Sequence, residues 1–423
     1  MKILLWVFLA AAFFALVQEI NTDDETWFLQ VLHRFLSGEK LYKEIFLGVS
    51  PLSVYITALP MFFLGHELLI ARLVLVLYFT LGVYFMLLIM KELKIERYGT
   101  PLFFLGCFVL AHPQTNWGFS PYNPLAKVLL LATFWTALKW NASLEESLPA
   151  RPWIWLLFSA CMAALCFAAK QNVGGIAALC ALANCFVQRK KTGLFDMSIF
   201  IAMFFFVLAL LFLPIFLQDA FDSFLHYGIF HKTRYLSMRD NTYFLDFKDW
   251  SLYSICIYLL PFALSLGGLL SFRKKGTHKH TFLIFLIGGA LVLFPRPDNM
   301  QKIAFVPFAL LGVLYFYSLL ERQIPSRVQL FTKWSLVFAF SWVLLLPLKG
   351  TFTGLFEGEL VFSSIPKLRW IVMPKACHSH WLRMKQEFSF ARALCGCVSH
   401  GNRQPRDDLL KRHCMDIQNE RRR

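Results

Sequence analysis

Residues 21–38 read NTDDETWFLQVLHRFLSG. Three acids, Asp23, Asp24 and Glu25, stand near its start, close behind the apolar run ILLWVFLAAAFFALV at 3–17. After them Trp27, Phe28, Val31, Leu32, Phe35 and Leu36 recur with helical period, which predicts an amphipathic helix over 24–37. Thr22 and Glu25 have the spacing of a capping box, and Gly38 is a natural stop. Acids in a first helical turn complement the helix dipole by about 0.3–1 kcal/mol each. On local grounds alone the cluster is the capped polar start of a helix lying on a membrane surface.

The surroundings of this stretch set the class of the protein. Of 423 residues, 57% are hydrophobic and 16% charged, and 46 are phenylalanine. Apolar runs long enough to cross a bilayer recur along most of the chain, so the sequence is that of an all-α, polytopic, integral membrane protein. Spans are expected near 3–19, 68–90, 101–113, 121–138, 153–169, 175–188, 195–217, 251–271, 281–294, 303–320 and 331–348, about 11 in all. The first run lacks a small-x-small cleavage site and reads as an uncleaved anchor. The run PLSVYITALPMFFL at 51–64 is short and contains Pro60, so it is expected to be interfacial or re-entrant rather than spanning.

Charge orients this arrangement. One set of alternate loops carries Lys91, Lys94, Arg97, Lys139, Arg151, Arg189, Lys190, Lys191, Arg273, Lys274, Lys275, Lys279, Arg322, Arg327 and Lys333. The short loops of the other set hold Lys170, Arg296 and Lys302. Cytoplasmic loops collect Lys and Arg, so the N-terminus is placed inside and the first loop outside. That accounts for much of the net charge of +16 without nucleic acid. The multi-span domain then covers 1–348, with long outside loops at 20–67 and 218–250. The basic tail at 349–423 is left without a function, and its end lacks apolar periodicity, as a disordered segment does. Six of the ten cysteines lie in apolar runs, where Cys behaves as a small hydrophobe. Cys395, Cys397 and His400 in the tail are only a weak metal signal.

Beyond Gly38 the sequence continues EKLYKEIFLGVSPLSVYITALPMFFLGHELLIARL. The order is an acidic pair, an amphipathic helix, G-x-x-L-Y, PL-x-x-Y, a short apolar helix, Gly, and ARL opening the next span. This order resembles the GT-C superfamily of membrane glycosyltransferases, which includes protein O-mannosyltransferases and lipid A aminoarabinose transferases. The match falls on Asp24, Glu25, Gly38, Leu41, Tyr42, Pro51, Leu52, Tyr55 and Arg72, and is strongest over 20–95. The resemblance implies a GT-C-like fold and transfer of a sugar from a polyprenyl-phosphate-linked donor to a glycan, lipid or protein acceptor. It places the site on the outside face of a membrane, taken as the bacterial inner membrane. It also singles out Asp24 as base or acceptor-orienting group, supported by Glu25 or Asp23, with Tyr42 and Arg72 as positioning residues. The chemistry suits the residue type, since a carboxylate facing water can take the acceptor proton as the new bond forms.

Such a donor leaves a phosphate behind, and cations at the membrane surface would stabilise it. Lys170, in AALCFAAKQNVGG, resembles a Lys-containing turn of the family that contacts the lipid phosphate; without that likeness it would read as a snorkelling lysine. Arg296 and Asp298, in FPRPDNMQK, resemble a late outside loop of some relatives, whereas Asp298 by itself could cap the next helix. One departure stands out: many relatives have a second Asp at the start of the fourth span, where SPYNPLAKV has Asn123, able to hydrogen-bond but not to act as a base. Lys127 follows one turn later and is a candidate to face the same cavity. In the loop 218–250, His226 and His231 lack a third ligand at suitable spacing, so a mobile cover over donor or acceptor is expected there rather than a metal site. The sequence specifies no cofactor and is compatible with a divalent cation. The competing class is a transporter or lipid flippase without transferase activity, which would carry mid-span ionisable sites in related halves. A non-catalytic scaffold is the third, and it leaves the grouping of Asp24, Lys170 and Arg296 on one side unexplained.

Overall fold

The computed structural model describes residues 8, 9, 12, 24–65, 67–95, 121–145, 151–230, 262, 263, 266, 278–292, 299–320, 360–362 and 372–374. The spans expected at 101–113, 251–271 and 331–348, nearly all of 3–19, and the residues Asp23, Arg296 and Asp298 lie outside this set or are only touched by it. Most of what is described is helix. The amphipathic stretch forms α1 (Asp24–Leu36), and the short apolar run forms α2 (Leu52–Leu64). Then come α3 (Leu68–Glu92), α4 (Tyr122–Glu145), α5 (Arg151–Ala169), α6 (Gln171–Thr192) and α7 (Phe195–Leu217). A short α8 (Phe221–Phe224) runs into a π-helical turn (Leu225–Phe230), and α9 (Lys279–Leu291) and α10 (Asn299–Leu320) follow.

Three of these, α3, residues Pro152–Ala169 of α5, and α7, are long and apolar enough to cross a membrane. The 13 residues of α2 reach only ~20 Å, short of a hydrocarbon core of about 30 Å. This agrees with the expectation that 51–64 does not span. Gly38 ends α1 as anticipated, at φ 94°, a conformation that residues with a Cβ rarely adopt. In the tail, β1 (Leu360–Phe362) pairs antiparallel with β2 (Val372–Pro374), a local order the sequence reading did not anticipate.

Contacts between the helices set their directions. Glu92 at the end of α3 pairs with Lys139 on α4 at 2.7 Å, and Gly82 lies against Val128, so α3 and α4 run the same way. Cys166 near the end of α5 reaches the Ala126 carbonyl near the start of α4, so α5 runs the opposite way. One end of the bundle therefore gathers the start of α4, the α5–α6 turn and the start of α3. The other end gathers Glu92, Lys139 and a buried polar cluster. In that cluster Asn141 and Asn184 exchange amide hydrogen bonds at 3.2 Å, and Thr281 donates to Asn184 at 2.8 Å. Such interhelical bonds tie α4, α6 and α9 together through polar groups that pair only across helices. They also occupy Asn141, which is 2% exposed, so the sequon Asn141-Ala142-Ser143 offers no free acceptor. Between the two ends Phe134 stacks on Phe285 at 4.8 Å and joins α4 to α9.

The α5–α6 reversal is tight. Lys170 alone separates the two helices, in extended conformation at φ −154°, and the Gly174 amide donates back to its carbonyl at 2.9 Å. A Cβ on Gly174 would lie 2.0 Å from the Phe167 amide nitrogen. Only glycine admits that approach of two backbones. Gly174→Ala is expected to cost about 1–3 kcal/mol by overpacking, read as a lower unfolding temperature in detergent, whereas Gly175→Ala, whose Cβ would meet nothing within 4 Å, should leave it unchanged.

Candidate active site

At the first end of the bundle, α1 is pinned by one contact far from it in sequence. Both nitrogens of the Arg72 fork donate to Glu25: Nε to Oε1 at 2.6 Å and Nη2 to Oε2 at 2.8 Å. The side chains are 2% and 3% exposed. A planar guanidinium and a carboxylate match in this two-point geometry, which fixes orientation as well as distance. Taking both charges out of water costs several kcal/mol per ion, so the arrangement persists only because each charge neutralises the other. Glu25 follows directly on Asp24, the first residue of α1, and consecutive helix positions lie about 100° apart. The contact thus sets the position of the helix turn that begins with Asp24. A small pocket beside the pair is lined by Phe28, Leu29, Leu68, Ala71, Leu75 and Pro121.

Tyr42 serves the loop after α1. Its backbone takes φ 66°, unusual for a residue with a Cβ, and its hydroxyl donates to the Val49 carbonyl at 2.6 Å. The residue is 2% exposed. Burial first, and then Tyr55 beside it, hold the phenol well above its ordinary pKa, so it remains a donor. Tyr42 is therefore built into the core of the loop, and the parallel bridge between Leu41 and Ile45 closes the turn around it.

Lys170 and Asn123 come together. The Lys170 ammonium donates to Asn123 Oδ1 at 2.7 Å and lies 5.8 Å from the centre of the Tyr122 ring. Asn123 is on the first turn of α4, and Lys170 is the residue at the α5–α6 reversal. Next to it Gln171, which the sequence reading passed over, accepts from Ser50 at 3.3 Å and donates to the Gly228 carbonyl. Gln171 thereby joins the first loop, the α5–α6 turn and the π-helical segment. Aromatic contacts reinforce the junction: Tyr42 meets Phe224 edge-on at 5.2 Å, and Phe46 meets Tyr227 edge-on at 5.1 Å. The only signal in the sequence for Gln171 was its place beside Lys170. Asp24, Glu25, Tyr42, Arg72, Asn123 and Lys170 all belong to this end of the bundle; among the described residues no group of three or more His, Cys, Asp or Glu could hold a metal ion.

No protein-family model matches the chain, and no curated protein does. Two solved structures share its fold. One is ArnT from Cupriavidus metallidurans bound to undecaprenyl phosphate, at a TM-score of 0.57 and 18% identity over 77% of this chain. The other is the same protein in the apo state, at a TM-score of 0.56 and 15% identity over 78% of this chain. The chain spans 60% of the length of each. Across most of its own length, it has the polytopic helical fold of ArnT.

Proposed function

We propose that the protein is a membrane glycosyltransferase that moves a sugar from a polyprenyl-phosphate-linked donor to a glycan, lipid or protein acceptor. The observation that carries this reading is the buried Glu25–Arg72 pair, which locks the first turn of α1, where Asp24 stands, to the bundle. With both its oxygens engaged by Arg72, Glu25 is a positioning residue, and Asp24 is the group that takes the acceptor proton or orients the acceptor. Asp23 supports it. Lys170, held by Asn123 at the same end, pairs with the donor phosphate, and Arg296 with Asp298 joins it from the late loop. Tyr42 acts through the shape of the first loop. The undecaprenyl phosphate of the ArnT structure supports a donor of this lipid class. The cation bias of the loops supports a site on the outside face, and the bacterial inner membrane is the setting that fits a polyprenyl phosphate. A divalent cation at the donor phosphate is compatible with this scheme.

The reading is tested with the purified chain in proteoliposomes supplied with a polyprenyl-phosphate sugar. Transfer to an added acceptor is expected. Movement of lipid or sugar across the bilayer without any transfer would favour a transporter or flippase instead. In the same assay Lys170→Ala should raise the KM for donor about tenfold, the worth of one hydrogen bond to a charged group, with kcat changed much less. An unchanged donor KM would remove Lys170 from the phosphate site.

A further inference from the structure

We propose that Gln171 is a positioning residue of the transfer reaction: its side chain clamps the first loop and the π-helical turn onto the Lys170 reversal, so that the wall of the donor site is ordered before the donor arrives. This rests on the reading of Lys170 as the contact to the donor phosphate and adds to it a residue that acts through its neighbours. Gln171 is the first residue of α6, directly after Lys170. The Gly228 carbonyl only accepts, so the amide nitrogen of Gln171 faces it, and the amide oxygen is left to accept from the Ser50 hydroxyl at 3.3 Å. Both ends of one side chain are thus used, across 121 residues to Ser50 and 57 to Gly228. Ser50 and Gly228 are both buried.

The clamp closes a circuit of contacts. The Tyr42 hydroxyl donates to the carbonyl of Val49, next to Ser50, at 2.6 Å. Ser50 reaches Gln171, Gln171 reaches Gly228, and Phe224, one turn before Gly228, packs back on Tyr42 at 5.2 Å. Gly228 gives the amide room, since a Cβ there would lie 2.9 Å from Phe224 Cε2 and 3.6 Å from Gln171 Nε2. Phe224 has nowhere to step aside: it is buried between Tyr42 and Phe212, whose ring centre is 4.7 Å away. Lys43 and Asp219 also meet at 3.6 Å between the first loop and the segment before the π-helical turn, but Asp219 is 98% exposed. An exposed ion pair contributes little. That pair and the ring contacts join the loop to the π-helical segment, whereas Gln171 ties both to the α5–α6 reversal.

The reversal itself is the rigid member of the three. Lys170 alone separates α5 from α6, and a Cβ on Gly174 would strike the Phe167 backbone. The first loop is irregular backbone held in place by side chains such as Tyr42. Without the amide of Gln171, the loop and the π-helical turn keep their contacts with each other but are free to shift against Lys170. A donor that binds there must then order them, and that ordering is drawn from its binding energy. The loss therefore falls on donor affinity. It falls much less on kcat, because the start of α1 is held by a separate contact, the fork between Arg72 and Glu25.

The test compares Gln171→Met, Ser50→Ala and the double variant on the full chain. Met keeps the length of Gln and gives up the amide donor and acceptor. Donor KM is read in proteoliposomes with a polyprenyl-phosphate sugar, and affinity for polyprenyl monophosphate is read in nanodiscs. Gln171→Met is expected to weaken both about tenfold with kcat within about threefold of normal, and Ser50→Ala to weaken both about threefold. The double variant should be no weaker than Gln171→Met alone, since groups in one hydrogen-bond network do not add. A lowered unfolding temperature with unchanged donor KM and unchanged monophosphate affinity would make Gln171 a structural residue only and overturn the proposal. Additive losses in the double variant would overturn it as well, for Ser50 and Gln171 would then act separately. Should Gln171→Met fail to fold, Ser50→Ala decides, and natural affinity in that variant sinks the clamp. A natural protein that binds monophosphate but transfers no sugar would sink the proposed function, and binding by the variants would still decide the clamp. Normal transfer with variants indistinguishable from the natural protein would sink the clamp alone.

Discussion

Asp24→Asn should all but eliminate sugar transfer, lowering kcat about 10²–10⁴-fold, the range supplied by a positioned general base. Donor KM and unfolding temperature should stay close to those of the natural protein. Asn keeps the shape of Asp and part of its hydrogen bonding, and loses the charge and the basic site. The variant therefore separates chemistry from architecture. An acid that merely complements a helix dipole contributes about 0.3–1 kcal/mol, and its replacement would lower stability slightly and spare turnover. Transfer within twofold or so of normal would return the acidic cluster to that structural role. Position 24 suits the test because the anchoring of α1 rests on its neighbour: the Glu25–Arg72 contact is untouched by the substitution.

The second large effect lies in that contact. Arg72→Met is expected to destabilise the protein by about 3–5 kcal/mol, because it leaves the Glu25 carboxylate buried with its counter-charge gone. Glu25→Leu should cost a similar amount for the converse reason. The double variant Glu25→Leu/Arg72→Met should recover most of the loss, since removing both buried charges together is often near neutral. Recovery of stability is not expected to bring recovery of activity. Without the two-point fork α1 is held by apolar contacts that do not fix its rotation, and a displacement of 1 Å at a reacting group can cost about 10² in rate. Unfolding temperature and kcat measured on all three variants decide the matter. A double variant with both normal stability and normal kcat would show that the pair has no positioning role.

The periodicities of the chain determined the helices by themselves. Apolar runs of 20 or so residues become spans because a bilayer rewards them, and residues 195–217 form a helix over the range expected of them. The helical period after Asp24 and the glycine at 38 set both ends of α1 to within a residue. The shortness of 51–64 kept α2 from being read as a span. These are local properties, carried by neighbours in sequence. The partners of the polar groups are of another kind. Arg72 meets Glu25 across 47 residues, Lys170 meets Asn123 across 47, and Gln171 meets Gly228 across 57. A pattern of spacing can say that an arginine opens a span, but which acid it faces depends on how α1 packs on α3. Tyr42 shows the same limit: its positive φ would have been expected of glycine, and it is held there by the hydroxyl bond to Val49 and by the packing of Phe224. Local patterning specifies which face of each helix is apolar, whereas the pairing of buried polar groups is settled only when the faces meet, because each such group must find its partner in the packed interior or go without.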